Sequence, residues 1–109
     1  HWRFVDEDTA RKSSAKIYEM FLGFKTKRDF IGMDMARKFL EMGFTRARRY
    51  ANHSSGRKYD KMSGKIRPQE HDWRTNTKAK SAAIFKEVRD KAAYDTTYQE
   101  MRKSWRLAE

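Results

Sequence analysis

Apolar residues recur at helical spacing along much of this chain. In the first stretch they fall three or four residues apart, which predicts an amphipathic helix over residues 9–22. Asp8 or Thr9 can cap the first turn of this helix. Gly23 is predicted to end it, because glycine is the residue most often found just past a helix end. The side predicted to face the core comprises Ala10, Ser14, Ile17, Tyr18, Phe21, Leu22 and Phe24.

A second predicted helix covers residues 30–42, with Asp29 as its cap. Gly43 follows where a left-handed residue would close the helix, and a short third helix is predicted over residues 46–52. Gly43 and Phe44 would then form the corner of a helix–corner–helix unit. The buried face of the second helix is predicted to comprise Met33, Ala36, Phe39 and Leu40.

No apolar period is visible over residues 53–77, where Gly, Ser and Pro68 are turn signals, so a long basic loop is predicted there. A helical period resumes at Asn76 or Thr77 and continues to about residue 107. One long helix or two are compatible with it, and we favour a break because Asp95 suits a cap. The sequence thus predicts an all-α fold, a small bundle of four to five helices in a single domain over residues 1–109.

Composition adds limits on compartment and partners. The chain carries 26 Lys and Arg against 15 Asp and Glu, a net charge of +11, so a polyanion is the leading partner class. Absence of cysteine fits a reducing compartment, and no apolar run approaches the length of a membrane span, which favours a cytoplasmic protein without membrane contact. His1 stands where an initiating Met would, so we expect a preceding segment in the intact protein. Four methionines are interpreted as adaptable core residues, namely Met20, Met33, Met35 and Met42.

The positive charge is concentrated in one part of the chain. Residues 45–67 contain eight Lys and Arg against a single acid, Asp60. Arginine bonds phosphates or guanine through its planar fork, and interleaved aromatic rings can stack on bases. We therefore predict a non-catalytic module that binds DNA or RNA, with Tyr50 as an orienting ring. The predicted contact residues are Arg46, Arg48, Arg49, Arg57, Lys58, Tyr59 and Lys61.

The helix–corner–helix spacing resembles that of a helix-turn-helix, whose second helix enters the major groove. An ordinary helical hairpin with solvated arginines is the simpler alternative. The arginines can also be tied to acids such as Asp34, Glu41 or Asp60, which would make this segment a structural hinge.

Two other function classes stay open. The first is a structural or interaction subunit, for instance a phage or assembly protein, which would bury Tyr59, Ile66 and Trp73 on a protein partner. The second is a metal-dependent nuclease or phosphoryl-transfer enzyme built on His53 and Asp60. Because no recognised metal-ligand spacing is present, no catalytic residue, metal or cofactor is assigned.

Three segments carry a resemblance to a known family: MDMARKFL at residues 33–40, MGFTRARRYANH at 42–53 and GRKYD at 56–60. Together they resemble a family of short uncharacterised proteins, each a domain of unknown function, found in bacteria, fungi and phages, including phages of cyanobacteria. The segment HWRF at residues 1–4 and the last helices are similar more loosely. The resemblance implies no established activity, and it places the family's centre in the Arg/His/Tyr segment.

Overall fold

The computed structural model describes residues 7–52 and 77–108, and these form four α-helices. They are α1 (Glu7–Thr26), α2 (Phe30–Asn52), α3 (Thr77–Ala93) and α4 (Thr96–Ala108). The predicted all-α bundle is confirmed. The predicted long basic loop lies outside the described residues, apart from Thr77, which begins α3.

α1 extends one turn beyond its predicted end, so the prediction that Gly23 stops it is wrong. Phe24 and Lys25 continue the buried side of the helix, and their tertiary contacts outweigh the weak local preference of glycine. The left-handed residue of the α1–α2 turn is instead Arg28, at φ 53°. Asp29 caps α2 as predicted, since its Oδ1 accepts a hydrogen bond from the Gly32 amide at 3.0 Å.

α2 is one continuous helix, which overturns the predicted corner at Gly43 and Phe44 and the separate third helix. Gly43 is buried within a stripe that runs at spacings of three and four residues through the whole helix. That stripe packs on the rest of the bundle along its full length, and this packing outweighs the cost of a glycine in a helix interior. The buried residues of α2 are Gly32, Met33, Ala36, Leu40, Gly43, Ala47 and Ala51.

The predicted break between the last two helices is confirmed. Tyr94 and Asp95 separate α3 from α4, and Asp95 Oδ1 accepts a hydrogen bond from the Tyr98 amide at 2.9 Å. α1, α2 and α3 pack against one another, while α4 makes a smaller contact with α2 and α3. Alanines allow these helices to approach closely around a few large side chains, the largest of which are Phe21, Met33, Leu40, Phe85 and Tyr98.

Three of the four methionines interpreted as core residues lie on the surface instead. Met33 is fully buried, but Met20 is 50 % exposed, Met35 53 % and Met42 41 %. Phe39, predicted to be buried, is 42 % exposed. The buried stripe of α2 comprises Ala36, Leu40 and small residues, so Met35, Phe39 and Met42 of the same helix fall outside it.

Candidate nucleic-acid interface

The described part of the predicted interface is the second half of α2. Arg46 and Arg49 are exposed and lie three residues apart, so they share one side of the helix. Arg48 is half-buried, and its Nε is buried from solvent. Tyr50 is 39 % exposed. The structure therefore brings two of the three predicted arginines and one ring to the surface of a single rigid element.

Asp34, one of the acids considered as an anchor for these arginines, is held by other groups. Tyr98 donates its hydroxyl to Asp34 Oδ1 at 2.6 Å, and Arg37 Nε donates to the same oxygen at 3.2 Å. Lys38 Nζ lies 3.2 Å from Asp34 Oδ2. Both oxygens of this carboxylate are thus engaged on the side of α2 that faces α4.

Glu41, the second such acid, pairs with α3. Arg89 Nη1 donates to Glu41 Oε2 at 2.8 Å, and Arg89 Nη2 lies 2.8 Å from Asp90 Oδ1. The same guanidinium sits over the Phe44 ring, 5.1 Å from its centroid. The pKa of Arg89 is raised above its ordinary value, and the hydrogen bond to Glu41 is the largest cause.

Within residues 7–52 and 77–108, Arg46 and Arg49 therefore form no ion pair with Asp34 or Glu41, two of the acids named in the structural-hinge alternative. Asp60, the third acid, lies outside the described residues. The carboxylates of α2 pair with Arg37, Lys38 and Arg89 instead. The positive charge on the outer side of the second half of α2 is left uncompensated by its own helix.

The pKa values of Asp34 and Tyr98 reflect the hydrogen bond between them, which links α2 to α4. Burial by itself would raise the pKa of Asp34, but the hydrogen bonds from Tyr98, Lys38 and Arg37 outweigh it and hold that pKa below the ordinary value. Burial and the hydrogen bond to Asp34 both raise the pKa of Tyr98. The three hydrogen bonds favour the charged carboxylate and thereby lower its pKa, so this group accepts hydrogen bonds as a carboxylate at neutral pH.

A second polar contact ties α1 to the cap of α4. Lys25 Nζ lies 2.8 Å from Asp95 Oδ2, while Asp95 Oδ1 caps the helix. The hydrogen bond to Asp95 raises the pKa of Lys25. Burial would raise the pKa of Asp95, but the hydrogen bonds from Lys25 and the Tyr98 amide lower it overall. Sequence reasoning found the cap but missed this partner, because the two residues lie 70 positions apart.

The remaining predicted contact residues, Arg57, Lys58, Tyr59 and Lys61, lie outside the described residues. The same holds for His53 and Asp60, on which the enzyme alternative was based. In the part of the chain that the structure describes, no group of three or more His, Cys, Asp or Glu side chains is arranged to hold a metal ion.

None of the described helices is long and apolar enough to cross a lipid bilayer. No curated protein and no solved structure matches this chain. One family model does match, under the description "Domain of unknown function (DUF4385)", and it covers residues 1–108. This match spans the helical bundle and the Arg-rich part of α2 together. The chain therefore belongs to the DUF4385 family, a domain of unknown function.

Proposed function

We propose that this protein is a small basic module that binds nucleic acid without catalysis, through the second half of α2 and the segment that follows it. The observation that supports this best is the exposure of Arg46 and Arg49 on one side of a helix whose acids are engaged elsewhere. Two guanidinium groups held one turn apart on a rigid helix can each bond a phosphate in bidentate fashion.

The continuity of α2 changes the expected mode of binding. A helix-turn-helix needs a corner that delivers a second helix into the major groove, and no such corner exists at Gly43 and Phe44. Phosphate contacts position a protein but carry no sequence information. We therefore expect binding with little sequence preference. Arg57, Lys58 and Lys61 add phosphate contacts in this proposal, and Tyr59 stacks on a base.

Narrower predictions accompany this proposal. The runner-up is a structural or interaction subunit that docks on a protein partner through Tyr59, Ile66 and Trp73, and these residues lie outside the described ones. The occurrence of the family in bacteria, fungi and phages of cyanobacteria stays a prediction from the resemblance. A cytoplasmic location stays a prediction from the composition.

The test is a salt titration of binding. Labelled single-stranded DNA, duplex DNA and single-stranded RNA of about 20 nucleotides are titrated with protein, and fluorescence anisotropy is read between about 50 and 300 mM KCl. If the five cations Arg46, Arg49, Arg57, Lys58 and Lys61 each contact a phosphate, the log–log slope should be about −3.5 to −4.5, depending on the strand type. A flat salt response would contradict the proposal.

The variant Arg46→Gln/Arg49→Gln should make that slope shallower by about 1.5 to 2, because two phosphate contacts are lost. A matched control is Arg102→Gln/Arg106→Gln, which removes the same charge from two exposed arginines of α4. The control should lower affinity only slightly, through net charge, and leave the slope nearly unchanged. Equal changes in both variants would show that binding follows total charge and not this surface.

A further inference from the structure

A groove of about 400 Å³ runs between α1 and α2 on the side turned away from α3 and α4. Met20 and Met35 form its two edges, and each is about half exposed, at 50 % and 53 %. Apart from one lysine and one serine, the side chains that line it are apolar. The lining residues are Ser13, Lys16, Ile17, Met20, Phe24, Met35, Ala36 and Phe39.

The helix packing explains why a groove forms here. At one end the two helices approach so closely that a Cβ on Gly32 would lie 2.3 Å from Phe24 Cδ1. Farther along, Ala36 is the residue of α2 at the floor, and its short side chain leaves space between the longer side chains on either edge. The apolar surface continues on α2 through Ile31 and Met42, which are 55 % and 41 % exposed. Contiguous exposed apolar surface of this kind marks an interaction site.

The charges beside the groove are mostly positive. Lys16 lines it, Lys12 lies one turn earlier on α1, and Arg46 lies one turn beyond Met42 on α2. On α1, Asp8 lies one turn before Lys12 and Glu19 lies three residues after Lys16, so these two acids offset part of the charge there; the acids of α2 are engaged on its other sides, as described above. A partner that fits here therefore combines an apolar stripe with acidic flanks.

We propose that this groove binds an amphipathic helix of an acidic partner protein. Exposed side chains from Ile31 to Met42 span about 16 Å along α2, which corresponds to about three turns of a docked helix. A helix of that length presents anchors at i, i+3 or i+4, and i+7 to a groove. Methionine edges suit this role because their unbranched side chains repack around a ligand.

Two other occupants fit less well. A second copy of this chain brings another net charge of +11 and the same basic flanks, so like charges would face each other across the interface. A membrane surface favours a helix that lays a protruding apolar face into the lipid, whereas this apolar surface is a concave channel between two helices. Each of these occupants is distinguished by the experiments below.

The probe is a fluorescein-labelled peptide of about 18 residues, with Leu at i, i+3, i+4 and i+7 and Glu at most other positions. We expect it to bind with a dissociation constant in the micromolar range, about 1 to 100 μM. A peptide of the same pattern with Lys in place of Glu should bind at least about tenfold more weakly, because the groove is flanked by cations. Equal binding of the two peptides would contradict the acidic partner.

Met20→Glu should weaken binding of the acidic peptide about tenfold or more, since it places a like charge at the groove edge. Leu22→Glu is the matched control, because Leu22 is on the same helix, 41 % exposed, and lies on the opposite flank of the buried side. The control should retain binding within about twofold of the unchanged protein, a range set by surface charge alone. Equal losses in the two variants would overturn the proposal.

Three further readouts separate the other occupants. If the protein binds phosphatidylglycerol vesicles, loses that binding in Met20→Glu and binds no peptide, the groove is a membrane-binding surface. Self-association that Met20→Glu abolishes would assign it to a second copy. If the unchanged protein binds no peptide and Met20→Glu lowers the thermal stability, the groove is part of the packing of this chain and not a binding site. The salt slope of oligonucleotide binding should be the same for Met20→Glu and Leu22→Glu, so this proposal and the nucleic-acid proposal fail separately.

Discussion

Replacing Tyr98 by Phe removes one hydroxyl from the interior of the bundle and leaves the ring in place. Tyr98 is 1 % exposed, and its ring lies 5.9 Å from that of Phe21 and 5.7 Å from that of Phe30, measured between centroids. Its hydroxyl donates to Asp34 Oδ1 at 2.6 Å. The substitution therefore tests this hydrogen bond between α4 and α2 without creating a large cavity.

The expected loss in unfolding free energy depends on the charge of the acceptor, because Asp34 is a carboxylate at neutral pH. A hydrogen bond to a charged group contributes about 1.5 to 3 kcal/mol. Asp34 keeps Arg37 and Lys38 as partners, and its side chain remains 22 % exposed, so water can replace part of what is lost. We expect a loss in the free energy of unfolding near the lower end of that range, about 1.5 to 2 kcal/mol at neutral pH. The assay is urea unfolding followed by far-ultraviolet circular dichroism.

The same variant makes a prediction about pH. The pKa of folded Asp34 is lowered, so its contribution to stability is present above the ordinary pKa and is lost as the pH falls through the lower folded value. Tyr98→Phe removes one of the hydrogen bonds that lower this pKa. The difference in unfolding free energy between the unchanged protein and the variant should therefore be full at neutral pH and narrow as the pH falls below the ordinary pKa of an aspartate side chain.

Tyr94→Phe is the matched control, because Tyr94 is 71 % exposed. Its unfolding free energy should stay within about 0.5 kcal/mol of the unchanged protein. A cost for Tyr98→Phe below about 0.5 kcal/mol at neutral pH would refute the claim that this hydrogen bond stabilises the fold. A gap that stays constant from neutral pH to strongly acidic pH would refute the link to Asp34.

Three other substitutions test the packing by the same unfolding assay. Gly32→Ala should cost about 1 to 3 kcal/mol, because its Cβ would overlap the Phe24 ring, and an unchanged stability would contradict this. Gly23→Ala should stabilise by about 0.5 to 1 kcal/mol, since no other group lies within 4 Å of the new Cβ; a loss would contradict the continuous α1. Arg89→Met should lower the free energy of unfolding by about 1 kcal/mol, because it leaves Glu41 unpaired. A loss below about 0.3 kcal/mol would contradict this and show that the ion pair contributes little to stability.

The local signals in the sequence predicted the all-α fold and the caps at the start of two helices. Asp29 and Asp95 are residues with short acceptor side chains at the start of apolar periods, and both cap helices as predicted. Capping depends on residues within one turn, so it can be recognised without knowledge of the fold. The return of the apolar period predicts a helix start at Asn76 or Thr77, and α3 begins at Thr77.

The two glycines taken as helix ends show where local reasoning fails. Gly23 and Gly43 both lie inside helices, although glycine is the residue most often found just past a helix end. Gly43 is buried, so contacts from other helices decide its conformation. Such contacts are tertiary and cannot be read from a window of sequence. The loss of the predicted corner in turn removed the helix-turn-helix interpretation of the arginines.

The ion pairs and hydrogen bonds between residues far apart in the chain could not be predicted from the sequence either. Asp34 was considered as a partner of the α2 arginines because it is near them in the chain, but Tyr98, 64 positions away, holds it instead. Glu41 likewise pairs with Arg89, 48 positions away. Which cation neutralises an acid depends on the face of the helix on which the acid lies, and that face is known only once the packing is known.

The distribution of charge around α2 gives the basic surface its physical meaning. A count along this helix finds two acids and five cations, which is only a moderate excess. In three dimensions both acids pair with other cations, Asp34 with Arg37 and Lys38, and Glu41 with Arg89 of α3. Arg46 and Arg49 are exposed and form no ion pair with either acid. The positive field around them is therefore stronger than the composition of α2 suggests, because the two acids of this helix are engaged with other groups.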